Sequence, residues 1–201
     1  MSWIAVDLYK CGMIKIGSFK LTSGLESPYY IDLRLLYSFP ELRNRVINEI
    51  ISRFSILKQC DVVLGIATSG LVLASIMADR LNKPLAYVRI EKKEHGTRSL
   101  VEGIVGNKGV VIVDDVATTG GSIEHAVVAV KDTGGRVLAA ITVIDREQGA
   151  RQRLRRYGIE LYSLITAREI FDTLYNNGYI DFDTYHKIIR YIQATSTGNI
   201  L

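Results

Sequence analysis

Two adjacent carboxylates, Asp114 and Asp115, stand between the apolar run Val110-Val-Ile-Val113 and the stretch Val116-Ala-Thr-Thr-Gly-Gly-Ser-Ile123. The pattern reads as a buried strand, a small polar loop, then a helix. A helix start leaves N–H groups unpaired and carries the positive end of the dipole, which together make an anion site. Gly120 and Gly121 let the backbone approach a phosphate closely, and Thr118, Thr119 and Ser122 add hydroxyl donors, with Ala117 opening the loop. The acids cannot hold that anion; they suit ribose hydroxyls or a hydrated Mg²⁺. A phosphorylated sugar needs both kinds of group side by side. An ordinary strand-to-helix turn capped by Ser122 accounts equally well for Gly-Gly-Ser alone. It does not account for two acids at a buried strand end, where like charges oppose each other unless a cation or hydroxyls meet them. Neither the Gly-x-Gly-x-x-Gly fingerprint nor a Gly-Lys-Ser P-loop is present.

Four other stretches carry chemistry. Ile144-Asp-Arg-Glu-Gln-Gly-Ala150 places Arg146 just beyond a second apolar strand. Taken alone it reads as a surface ion pair with Asp145 or Glu147; a guanidinium also suits a planar carboxylate ligand. Phe19-Lys-Leu-Thr-Ser-Gly-Leu-Glu-Ser-Pro-Tyr-Tyr-Ile-Asp32 has strand residues around turn chemistry. Arg89 to Arg98 is charged and unpatterned, so a solvated loop is its plain reading; in an extended chain Arg89, Glu91, Lys93 and His95 point one way. Gly65-Ile-Ala-Thr-Ser-Gly70 opens a helix that Thr68 or Ser69 could cap.

Segment 110–123 resembles the phosphoribosyl-diphosphate (PRPP) signature of type I phosphoribosyltransferases, and 19–32 with 144–150 resembles the hairpin and Asp-Arg loop of the orotate phosphoribosyltransferases. The likeness runs from about residue 13 to about 165. It implies that Asp114 and Asp115 hold ribose hydroxyls, that Ala117 to Ser122 hold the 5′-phosphate, that Arg146 binds the orotate carboxylate, and that Tyr30 walls the base pocket. It makes 89–99 the catalytic loop, with Arg89, Lys93 and His95 on the diphosphate, completing the neighbouring site of a homodimer. It gives Thr68 and Ser69 to the diphosphate loop, with a cis peptide near Ala67–Thr68. Mg²⁺ is implied as cofactor, held mainly through PRPP and water with Asp114 and Asp115 beside it. The chain departs from the family at Thr22, Ser69 and Ile90, where lysines are usual. Lys20 lies two residues before Thr22, on the same side of an extended strand, and is expected to substitute for the first of these.

The elements that must position these residues follow from periodicity. Val/Ile-rich strands at 61–66, 85–90, 109–113, 137–144 and 159–165 alternate with helices at 69–82, 123–130 and 150–157, which predicts a parallel twisted sheet covered by helices on both faces. Before it come a short helix closed by Gly12, a hairpin over 14–33 and an amphipathic helix over 38–57. After it come two helices, the first opened by a Thr166–Glu169 capping box. The expectation is an α/β chain of the type I phosphoribosyltransferase fold: residues 1–36 form a small helix and hairpin hood at the base site, and 37–201 form the PRPP-binding core with C-terminal helices.

Composition sets the frame. The chain has 201 residues, 48% hydrophobic and 23% charged, as in an ordinary globular protein. Cys11 and Cys60 form no disulfide framework or zinc pattern, no run is long enough to span a membrane, and the start lacks a basic leader; a cytoplasmic protein is expected. A net charge of +4 is mild. The arginines at 151, 153, 155 and 156 read as one solvated helix face, without the aromatics of an RNA surface, so no nucleic acid is expected. The resemblance points to joining of orotate and PRPP into orotidine 5′-monophosphate in pyrimidine biosynthesis. A PRPP-binding regulator, or an enzyme for another nucleobase, are the alternatives. A fused decarboxylase barrel does not fit in 201 residues, leaving a separate orotidylate decarboxylase as an expected partner.

Overall fold

The computed structural model describes residues 2–20, 26–89 and 100–196. Helix α1 (Ser2–Lys10) precedes an antiparallel pair, β1 (Ile14–Lys20) and β2 (Glu26–Ile31), with a bulge between Ile16 and Phe19. A 3₁₀ helix (Leu33–Ser38) leads into α2 (Pro40–Arg53) and the single turn α3 (Ile56–Gln59). The expected helix over 38–57 is thus divided. Pro40 starts it, as a residue with fixed φ and no N–H can, and Phe54 leaves helical geometry (φ −105°, ψ 89°) to bring its ring against Tyr162, 5.4 Å between centroids.

The main sheet follows. Its strands are β3 (Val62–Ile66), β4 (Leu85–Val88), β5 (Val101–Glu102), β6 (Gly109–Ala117), β7 (Arg136–Asp145) and β8 (Leu161–Thr166), in the order β5-β4-β3-β6-β7-β8. All neighbours are parallel except β5, which runs against β4. Helices α4 (Ser69–Leu81), α5 (Gly121–Asp132) and α6 (Ala150–Arg155) make the crossovers, and α7 (Ala167–Asn176) and α8 (Phe182–Thr195) end the chain. The capping box forms: Glu169 N donates to Thr166 Oγ1 at 3.2 Å, and Thr166 N donates to Glu169 Oε2 at 2.7 Å.

Every residue of β3 is buried because both faces are covered. Val63, Val111, Val113, Ile141 and Val143 face a core shared with α4, the N-terminal elements and the C-terminal helices. Their alternates Val62, Leu64, Val110, Ile112 and Ala140 face α5 and α6. That is the period-two signature of a two-sided sheet. From β3 the chain moves one way to β4, and from β6 the other way to β7 and β8. The strand order therefore reverses between β3 and β6, and the carboxyl ends of those two strands mark where a ligand fits in such sheets.

Two differences from expectation bear on that point. Strand β6 continues four residues past Val113, through both acids, because β7 is long enough to pair with it: Asp114 lies opposite Thr142 and Ala117 opposite Asp145. Strand β5 is only two residues, too short for periodicity to signal.

Candidate active site

At the end of β6 the chain turns through Gly120, which sits in the left-handed region (φ +80°) as N-cap of α5 with no side chain capping the helix. The cap that an ordinary strand-to-helix turn would draw from Ser122 is not made; that side chain is exposed. The first-turn N–H groups of a twelve-residue helix are left to an external acceptor. They border a cavity of about 180 Å³ lined by Asp114, Val116, Ala117, Thr118, Thr119, Gly120, Gly121, Ser122 and Ile123. A Cβ on Gly120 would lie 3.0 Å from Ala150 Cα, so the turn is seated on the start of α6.

Asp114 is buried and Asp115 half-buried. Each is held by its own backbone: Asp115 N donates to Asp114 Oδ1 and Val116 N to Asp115 Oδ1, both at 2.9 Å. Burial, and then the charge of Asp115, push the Asp114 carboxyl well above the usual carboxylate range. Gly70, at the start of α4, closes over it: a Cβ there would lie 2.5 Å from Val113 O and 2.9 Å from Asp114 Oδ1. The β3–α4 turn and the acid pair are therefore in direct contact.

That turn contains the cis bond Ala67–Thr68 that the resemblance implied. Thr68 is exposed, and no side chain caps α4. Ser69 is gripped by Tyr37 of the 3₁₀ helix, whose hydroxyl donates to Ser69 O and lies 2.8 Å from Ser69 Oγ. Burial, with Asp115 and Asp114 nearby, pushes the Tyr37 phenol up to about 12 against the opposing bond from Ser69, so it stays a donor at any working pH. Nothing in the sequence singled out Tyr37; the contact joins residues 32 apart.

The second part of the site is loop 145–149. Arg146 is buried, and its backbone N–H donates to Ala117 O at 2.8 Å, which fastens this loop to the β6–α5 turn. The surface ion pair with Asp145 or Glu147 does not form. Asp145 is committed to Arg151 Nε (2.7 Å) and Glu147 N (2.8 Å), and Glu147 accepts from Arg168 N (3.0 Å). Arg146 instead lies over the Tyr29 ring, 4.8 Å from Cζ to centroid, with Nη2 3.5 Å from Ser27 Oγ. Its Nε has no partner, and among the described residues no carboxylate pairs with it. A buried guanidinium so placed costs several kcal/mol of desolvation, on the order of that for any buried ion, until an anion arrives.

Tyr29, not Tyr30, is thus the ring beneath Arg146. Tyr30 is half-buried on the opposite face of β2, its ring tilted 34° to that of Phe19 (5.7 Å between centroids), with Arg34 Nη2 3.4 Å from its hydroxyl. Arg34 forms a fork on Asp32 at 2.7 and 2.8 Å. Lys20 ends β1, exposed and opposite Glu26. Arg89 follows β4, its Nη1 3.6 Å from Glu102 Oε1 and its N–H on Leu100 O (3.0 Å), so Arg89 and Leu100, which flank residues 90–99, are fastened together. Lys93, His95, Ile90 and Thr22 lie outside the described residues.

The basic run is not one solvated face. Arg151 turns inward to Asp145, Leu161 O and Ser163 Oγ, while Arg153 pairs with Glu124 at 2.7 Å. Among the described residues no group of three or more metal-ligating side chains occurs, and no helix is long and apolar enough to cross a membrane.

Residues 42–159 match the model of the phosphoribosyl transferase domain. The chain is 47% identical over 189 residues to an orotate phosphoribosyltransferase of Staphylothermus marinus, covering 94% of this chain and 93% of that one. The crystal structure of an orotate phosphoribosyltransferase from Aeropyrum pernix superposes with a TM-score of 0.79 at 38% identity, over 89% of this chain and 99% of that one. The Mycobacterium tuberculosis orotate phosphoribosyltransferase in complex with PRPP is similar at 27% identity and a TM-score of 0.63, over 84% and 97% of the two chains.

Proposed function

The chain belongs to the orotate phosphoribosyltransferases of the phosphoribosyl transferase family, and from that membership we propose how its residues divide the work of joining orotate to PRPP. One observation carries the reading: a buried guanidinium, Arg146, has no carboxylate partner among the described residues and is tied through its backbone to the turn that leaves helix N–H groups open. An anionic base and a phosphorylated sugar are the two ligands such a pair of receptors asks for.

The α5 N-terminus with Thr118, Thr119, Gly121 and Ser122 takes the 5′-phosphate. Asp114 and Asp115 take the ribose hydroxyls. Arg146 takes the orotate carboxylate with two parallel hydrogen bonds, over the Tyr29 ring. Tyr30, with Lys20 near the hairpin end, walls the base. Thr68 and Ser69 offer backbone and hydroxyl donors to the diphosphate, joined by Arg89, Lys93 and His95. In the reaction the C1–O bond to diphosphate breaks, the bond from orotate N1 to C1 forms, and the N1 proton passes to water. Positive charge grows on the ribose ring beside the acid pair, and negative charge grows on the departing diphosphate beside the cations. With two carboxylates and no protein cage, a Mg²⁺ ion fits here as an ion carried by the diphosphate and water next to Asp114 and Asp115, where it would neutralise charge on the leaving group.

The reading extends to a cytoplasmic homodimer in pyrimidine biosynthesis, each 89–99 segment serving the neighbouring site, with a separate orotidylate decarboxylase consuming the product. The test follows orotate absorbance with PRPP and Mg²⁺ present. Turnover is expected for the unaltered protein, and Arg146→Ala should lower kcat/KM by about 100-fold or more, as loss of a charge-assisted bidentate contact does. Unaltered turnover in Arg146→Ala overturns the assignment.

A further inference from the structure

We propose that Tyr191 and Gln148 are positioning residues for Arg146, fastening the base-recognition loop to the C-terminal helix. The inference rests on the reading of Arg146 as the receptor for the orotate carboxylate. The backbone of that receptor is held by the bonds of Asp145, Glu147 and Ala117, while its guanidinium rests over the Tyr29 ring, 4.8 Å from Cζ to centroid. Tyr29 is fully buried, against Phe171 (4.8 Å) on one side and the edge of Tyr191 (5.9 Å, 88°) on another. The Tyr191 hydroxyl also accepts from Gln148 Nε2 at 3.3 Å. One residue of α8 therefore supports both the ring under Arg146 and the side chain two positions after it.

Gln148 is 1% exposed, which makes its amide an expensive group to place unless its donors are used. Its second N–H contact is Thr195 Oγ1 at 3.2 Å, whose own hydroxyl donates back to Tyr191 O at 2.9 Å. Both amide N–H contacts thus go to successive turns at the C-terminal end of α8. A side chain serving only to fill space would be apolar; this one fixes a direction. Loosening it leaves the phosphate turn in place and lets the guanidinium tilt on its platform.

Two variants test this. Gln148→Met keeps length and burial but loses the amide, and Tyr191→Phe keeps the ring but loses the acceptor. In each, KM for orotate should rise about three- to tenfold, the effect of one hydrogen bond, while KM for PRPP stays within about twofold. An unchanged orotate KM, or a joint rise of both KM values together with a fall in melting temperature, overturns the proposal. If Gln148→Met fails to fold, Tyr191→Phe carries the test alone. Arg146→Ala measured alongside separates the two levels. If it leaves orotate KM unchanged, the reading of Arg146 fails and the clamp with it; if it alone raises orotate KM, only the clamp fails.

Discussion

Asp114 shows what a single residue's surroundings do to its proton. Burial first, and Asp115 second, hold its carboxyl well above the ordinary range. The folded chain then keeps a proton that the unfolded chain gives up as pH rises through the usual carboxylate values. Stability contributed at this site is therefore fully present below that range and is lost as pH rises to the folded value. Asp114→Asn cannot ionise. Without PRPP it should melt at a higher temperature than the unaltered protein at about pH 8, with the advantage vanishing toward about pH 4, as thermal unfolding across pH will check. The gain comes with loss of function: Asp114→Asn combined with Asp115→Asn should give a folded protein that makes no orotidylate in the absorbance assay. Tyr37→Phe tests a quieter contribution. Removing a hydroxyl that holds Ser69 should raise KM for PRPP about three- to tenfold, the worth of a hydrogen bond, and leave orotate KM largely unmoved. Because the phenol titrates only at about 12, that difference should be constant between about pH 6 and about pH 9.

At the scale of elements, the site exists because the carboxyl ends of β3 and β6 are neighbours where the strand order reverses, with β6 running on past β3, and because two turns approach without side chains between them. Gly120→Ala would place a methyl 3.0 Å from Ala150 Cα on a residue held at φ +80°. The expected cost is about 1–3 kcal/mol of stability, seen as a lower denaturation midpoint, together with weaker PRPP binding. The β6–loop–α5 unit was legible in the sequence, because apolar run, acids and glycines occur in one stretch and each dictates its local geometry. The alternation of strands and helices was legible for the same reason. What was not legible lies across the chain. Tyr37 meets Ser69 through space, Gly70 is required by a neighbouring strand's carbonyl, and Arg151 is drawn inward by Asp145 and Ser163 although its neighbours in sequence suggest solvent. The division of the 38–57 helix turned on Phe54 and Tyr162, again a distant pair.

At the scale of the whole molecule, the N-terminal and C-terminal elements form one support behind the base site. Helix α1 packs on α7, α8 packs on β2, and Tyr29 lies between them. Much of the tyrosine content serves this region, as in the stacked Tyr175–Tyr185 pair and the Tyr9–Tyr179 contact. The proposed exchange of 89–99 segments between copies makes a separate prediction. Lys93→Ala and the Asp114/Asp115 double variant, each inactive alone, should regain orotate turnover when mixed and allowed to exchange subunits, since one mixed site would hold both intact parts. Absence of recovery, with exchange shown by sedimentation of differently labelled chains, would count against shared sites. Finally, the 2.8 Å bond from Arg146 N to Ala117 O makes the spacing of the two proposed substrate receptors a property of the main chain. It acts as a fixed ruler. Side chains on the base side could be exchanged to admit a different heterocycle without recalibrating the grip on the sugar, a modular arrangement open to redesign.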